Sequence, residues 1–156
     1  MTDSLLPIPK DIFGTLQNAQ SEADVRQAIL AELPIGRLEF LQIDYLHENI
    51  SIEFKHDADM STREGKRAEV LAQACYYCHA LRIEGERVPP YIALVDKDEV
   101  IIYKRDKLEP IYKNEQLFDK GNPSDPDVAI VELCKNVEVI SLKSLSHGLC
   151  KTRYFW

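Results

Sequence analysis

The stretch Asn49-Ile50-Ser51-Ile52-Glu53-Phe54-Lys55 decides the fold. Its alternation sends Ile50, Ile52 and Phe54 to one side of a β-strand and Ser51, Glu53 and Lys55 to the other. A carboxylate and an ammonium thus stand side by side on one face. Immediately upstream, residues 38–46 read as a partner strand rich in apolar and β-favouring residues, with His47-Glu48 as a link of hairpin length. A two-residue link sets Asp44 opposite Ser51 and leaves it diagonal to Glu53, roughly 7–8 Å between backbones. A four-residue link keeps that parity, whereas a three-residue link throws Asp44 to the other face.

Further out, the periodicity of Val70, Ala74, Tyr77 or Cys78, and Leu81 predicts a long helix over about residues 63–81, ended by Gly85 and Pro89-Pro90. Residues 91–95 and 100–103 read as two more strands around Asp96-Lys97-Asp98. Towards the N-terminus, Ser21-Glu22-Ala23-Asp24 has the form of a helix cap with an acid at the third position. The helix it opens, over residues 22–33, gathers Val25, Ala28, Ile29 and Leu33 on one face before Pro34 and Gly36. A shorter helix is expected over residues 11–20. Residues 108–127, broken by Pro110, Pro123 and Pro126, read mostly as loop. Asp125-Pro126 then caps a helix to about residue 135, and residues 137–142 form a last strand. Hairpins impose antiparallel pairs and the middle helix permits a crossover, so the class is α/β with a mixed sheet.

Composition narrows the function. The 156 residues match one domain, 45% hydrophobic and 29% charged, which excludes a disordered chain. No apolar run nears the roughly 18 residues that cross a bilayer. With no secretory pattern at the start, the expected location is cytoplasmic, and Cys75, Cys78, Cys134 and Cys150 are expected as thiols. A net charge of −7, from 19 basic and 26 acidic residues, argues against a protein that coats nucleic acid. It is compatible with one that holds a short stretch against a local basic patch, or that collects divalent metal in an acidic site. No glycine-rich phosphate loop and no serine elbow is present.

Two acids and a lysine converging on one face suit metal-assisted phosphodiester hydrolysis. Carboxylates hold Mg²⁺ through hard oxygens, and a nearby lysine orients water and offsets phosphoryl charge. Asp44, then Glu53-x-Lys55 on the next strand, then a helix carrying Gln73-Ala74-Cys75-Tyr76-Tyr77 resembles the PD-(D/E)xK restriction-endonuclease-like superfamily. The Gln-x-x-x-Tyr spacing is that of its branch in restriction subunits and recombination nucleases, and the segment from Glu22 to Arg26 is similar to the Glu-x-x-x-Arg helix that opens many such domains. More narrowly, Ile52-Glu53-Phe54-Lys55-His56, the Gln73 helix and residues 88–95 are similar to the N-terminal nuclease-like region of large restriction–modification DNA methylases.

The resemblance spans about residues 20–105 and leaves 106–156 as a C-terminal extension. It implies a restriction-endonuclease-like mixed sheet flanked by helices and a DNA endonuclease dependent on Mg²⁺ (or Mn²⁺). It further implies work within restriction–modification or DNA defence, with a methylase or another subunit of such a system as partner. Asp44 and Glu53 would be metal ligands with Glu22 as a third carboxylate, Lys55 would assist the water, and Gln73 with Tyr77 would position substrate. The alternative is an inactive nuclease-fold module that binds DNA or a partner protein.

Simpler readings stand beside these. Glu22 can pair with Arg26 one helical turn on. Arg63, Lys66 and Arg67 lie on a solvated helix face or reach DNA phosphates. Cys75-Tyr76-Tyr77-Cys78-His79 has the C-x-x-C-H form of haem attachment, yet it falls mid-helix in a chain without an export pattern. Zinc would lack a fourth ligand there, so buried thiols are expected.

Overall fold

The computed structural model describes residues 19–30, 37–40, 43–56, 58–60, 62–97 and 99–144. Helix α1 (Glu22–Leu30) opens them, and its start is doubly tied. Ser21 Oγ accepts from the Asp24 amide at 3.1 Å, and the Asp24 carboxylate accepts from the Gln20 amide at 3.0 Å. Six strands then lie in chain order in one sheet: β1 (Arg37–Phe40), β2 (Ile43–Leu46), β3 (Ile50–Phe54), β4 (Tyr91–Val95), β5 (Glu99–Lys104) and β6 (Ser141–Ser144). Every adjacent pair is antiparallel except β3 and β4, which run parallel because helix α2 (Glu64–Ile83) intervenes as a crossover. The class is therefore α/β with a mixed sheet.

Helix α2 supplies the largest apolar face. Leu71, Cys75 and Leu81 are fully buried in one cluster with Ile92, Leu94, Ile101 and Tyr103 of β4 and β5. The parallel register sets Ser51 beside Ile92 and Glu53 beside Leu94, so the polar side of β3 shares the face that α2 covers. Ile50, Ile52 and Phe54 on the reverse face are buried as well. All five residues of β3 are out of solvent, and Glu53 is the one ionisable group among them.

The structure corrects several sequence expectations. The single strand over 38–46 is two strands, β1 and β2, paired with Phe40 opposite Ile43. An unbroken β-favouring run without Gly, Pro or Asn carries no local signal for a reversal, so one long strand and a hairpin look alike. Residues 108–127 are not mostly loop: helix α3 (Arg105–Tyr112) and a 3₁₀ turn (Glu115–Asp119) occupy them. Leu108, Ile111 and Tyr112 stand at i, i+3 and i+4 and are all buried, while Pro110 is exposed inside the helix. Burying three such side chains at about 1.5–3 kcal/mol each outweighs the ~3 kcal/mol of an internal proline.

Helix α4 (Val128–Cys134) begins at Asp127, not at Asp125-Pro126, because the Asp127 carboxylate accepts the Ala129 amide at 2.8 Å. The last strand lies at Ser141–Ser144 instead of 137–142, since its ladder starts where Ser141 meets Ile102. Val137 and Val139 instead pack, half-buried, on the core. The expected helix over residues 11–20 falls almost wholly outside the described residues, and Cys150 lies outside them. Among the described residues no helix is long and apolar enough to cross a membrane.

Candidate active site

The hairpin between β2 and β3 places the acids. Tyr45 lies opposite Ile52 and Leu46 opposite Ser51, and the His47 amide bonds the Ile50 carbonyl at 2.9 Å. The turn is thus closed by His47 and Ile50 around Glu48-Asn49, one position further along than the expected His47-Glu48, and the facing parity is kept. Carried one step further, the register sets Asp44 directly across from Glu53 and not diagonal to it. It does so at a non-hydrogen-bonded position, where facing side chains come closest. The ladder stops there because Asp44 replaces it: Oδ2 accepts the Phe54 amide at 2.8 Å. Its other oxygen, Oδ1, lies 3.7 Å from Arg26 Nη1 on α1. Arg26 therefore reaches Asp44, which the simple Glu22–Arg26 pairing did not foresee. Helix α1 is moored beside the end of β3 by His56 Nε2, 3.1 Å from the Ala19 carbonyl oxygen.

Glu53 is 5% exposed, and its carboxyl lies against that of Asp44. Burial pushes its pKa up to about 9, the Asp44 charge adds to the rise, Lys55 opposes it, and Glu22 contributes a smaller upward push. At neutral pH Glu53 therefore retains a proton on the face it shares with Asp44. Tyr77, half-buried on α2, faces the same group. Burial raises its pKa first, followed by the charges of Glu53, Asp44 and Glu22. Gln73, one turn earlier on α2, lines a cleft with Lys55. Glu22, Asp44, Glu53, Lys55, Gln73 and Tyr77 thus border one region at the edge of α2.

The other cations divide. Arg67 turns inward, donating from Nη1 to the Met60 carbonyl at 3.2 Å, so a DNA-facing role for it is corrected. Arg63 is exposed at the start of α2, whereas Lys66 lines the cleft with Lys55 and Gln73. Ser124, Pro123 and Pro126 form the facing wall, and nothing in the local sequence signalled them. The C-x-x-C-H segment packs the core. Cys75 and Cys78 are buried free thiols, and Cys75 Sγ lies 3.9 Å from Cys134 Sγ. Burial pushes the Cys78 thiol up to about 12. His79 stacks on Phe118 with ring centroids 4.4 Å apart.

Among the described residues, no three His, Cys, Asp or Glu side chains are gathered as a ready metal cage. The donor set still suits a hard cation. Mg²⁺ commonly takes one or two carboxylates and keeps its remaining waters, and a buried acid pair that must hold a proton is a place where a cation can relieve repulsion. No protein-family model, curated protein or solved structure matches this chain.

Proposed function

We propose that this chain is a metal-dependent DNA endonuclease domain of restriction-endonuclease-like fold that serves a restriction–modification or DNA-defence system. The observation that carries the reading is the cross-strand Asp44–Glu53 pair, with Lys55 beside it and Gln73 and Tyr77 above it on α2. Asp44 and Glu53, with Glu22, would hold Mg²⁺ or Mn²⁺. The bound cation supplies Lewis-acid polarisation of the scissile phosphate and a more acidic attacking water. Lys55 sets a fixed positive charge where the phosphoryl oxygens gain negative charge. Gln73 holds substrate through its amide, and Tyr77, kept protonated, remains a hydrogen-bond donor.

Supercoiled plasmid incubated with Mg²⁺ or Mn²⁺ tests the reading. Cleavage is expected for the wild type and should fall by at least ~10²-fold in Glu53→Ala and in Lys55→Ala, with unchanged circular dichroism. Wild-type rates in both variants would end the assignment.

One observation favours a second reading, a module that binds DNA or a partner protein without turnover. The Arg26 guanidinium already stands against Asp44, where a metal would be held. Calorimetric titration with Mn²⁺ separates the two. Binding that disappears in Glu53→Ala supports the enzyme, and no binding at millimolar metal supports the module.

A further inference from the structure

The cleft beside the acid pair has walls from distant parts of the chain. Lys55 directly follows β3, while Lys66, Glu69, Val70 and Gln73 come from α2. Pro123, Ser124 and Pro126 come from the segment before α4. Its volume is about 130 Å³. Pockets that enclose whole small molecules begin near ~300 Å³, so this one is small, with room for a phosphate-sized group. Among the described residues neither Lys55 nor Lys66 forms an ion pair, and the acid on the rim, Glu69, is exposed. Lys66 sits in the first turn of α2, where the helix dipole also favours an anion.

The far wall is held in place by Tyr76. Its hydroxyl donates to the Lys120 carbonyl at 2.8 Å and accepts the Asp127 amide at 2.9 Å, clasping both ends of residues 120–127. Within that segment the Asn122 side chain accepts the amides of Ser124 and Asp125, each at 2.9 Å. Gly121, at φ +75°, lies where a Cβ would collide with the Tyr76 hydroxyl and approach the Asp127 amide to 2.7 Å. The turn that presents Ser124 is therefore preorganised, which lowers the ordering cost of binding.

We propose that this cleft seats a DNA backbone phosphate flanking the scissile one, gripped by Lys66 and Ser124, with Lys55 and Gln73 shared between it and the acid pair. The inference rests on the nuclease reading and adds to it the element that fixes the strand in register: two cations and a hydroxyl in a rigid notch provide the contacts that position a backbone without reading its sequence.

Fluorescence anisotropy of a labelled duplex of about 20 base pairs, in EDTA, isolates binding from cleavage. Lys66→Gln should weaken binding about 5–10-fold and lower the salt dependence of log K by about one unit of slope. Ser124→Ala should weaken it about threefold. Glu53→Gln should bind at least as well as the wild type while failing to cleave. Wild-type affinity and salt slope in both Lys66→Gln and Lys66→Glu overturn the phosphate seat and leave the nuclease reading standing if the wild type still cleaves. A wild type that neither binds nor cleaves the duplex overturns both. Lys66-dependent binding without any cleavage upholds the seat and moves the chain to the binding-module reading.

Discussion

Two acids are buried near the ends of neighbouring parallel strands, and their environments are opposite. Asp96, 1% exposed, follows β4, and its Oδ1 accepts the Glu99 amide at 2.9 Å. The Asp96 amide in turn bonds the Glu99 carbonyl at 3.0 Å, so the carboxylate completes the turn into β5. Glu53, 5% exposed near the end of β3, meets another carboxyl from a different strand. A carboxylate that accepts a backbone donor stabilises the fold. One that faces a second carboxyl destabilises it unless a proton or a cation intervenes. Burial alone does not mark a functional acid; its partner does.

The largest test of that contrast is pH. Glu53 has a folded pKa of about 9 against an ordinary value of 4.5, so the folded chain keeps a proton that the unfolded chain releases. The stability tied to that proton is complete below about pH 4.5 and is lost as pH rises through about 9. The upper limit is about 1.4 kcal/mol per pH unit inside that window. In urea titrations with EDTA, the unfolding free energy of Glu53→Gln minus that of the wild type should therefore grow by about 2 kcal/mol from pH 6 to pH 8. A difference that is flat with pH breaks the comparison.

Removing the other acid should act the opposite way. Asp96→Ala is expected to destabilise by about 1–3 kcal/mol, because it leaves the Glu99 amide without its acceptor. Plasmid cleavage by the folded variant should match the wild type, and a cleavage loss as deep as that of Glu53→Ala would erase the distinction. The smallest effect concerns the cation at the acid pair. Arg26 is about a third exposed, so Arg26→Ala should change stability by no more than about 0.5–1 kcal/mol. Calorimetry should find Mn²⁺ binding tightened about two- to threefold once the guanidinium no longer competes for Asp44. Weaker metal binding in that variant would make Arg26 a support of the site instead.

The central part of the site was legible because it depends on parity alone. Alternation along residues 49–55 put Glu53 and Lys55 on one face, and any even-length link brings Asp44 to that face. The exact opposition of Asp44 and Glu53 was not legible, since nothing in residues 47–50 fixes whether His47-Glu48 or Glu48-Asn49 forms the tip of the turn. Gln73 and Tyr77 follow from helical spacing. Arg26 was visible as a partner of Glu22, yet it reaches across to Asp44, a choice that depends on how α1 docks. Helix α3 was obscured by Pro110, whose local penalty is outweighed by contacts made with α2 and the sheet.

The amino-acid sequence by itself determined the α/β class, the crossover between two hairpins and the pairing of a carboxylate with an amine on one strand, because strand and helix periods are local properties of the backbone. Tertiary structure alone decided that Glu53 is buried against Asp44, that Tyr76 clasps a turn more than 40 residues away, and that Ser124 faces Lys66. Those outcomes depend on which faces exclude water together, and no short stretch of chain encodes that.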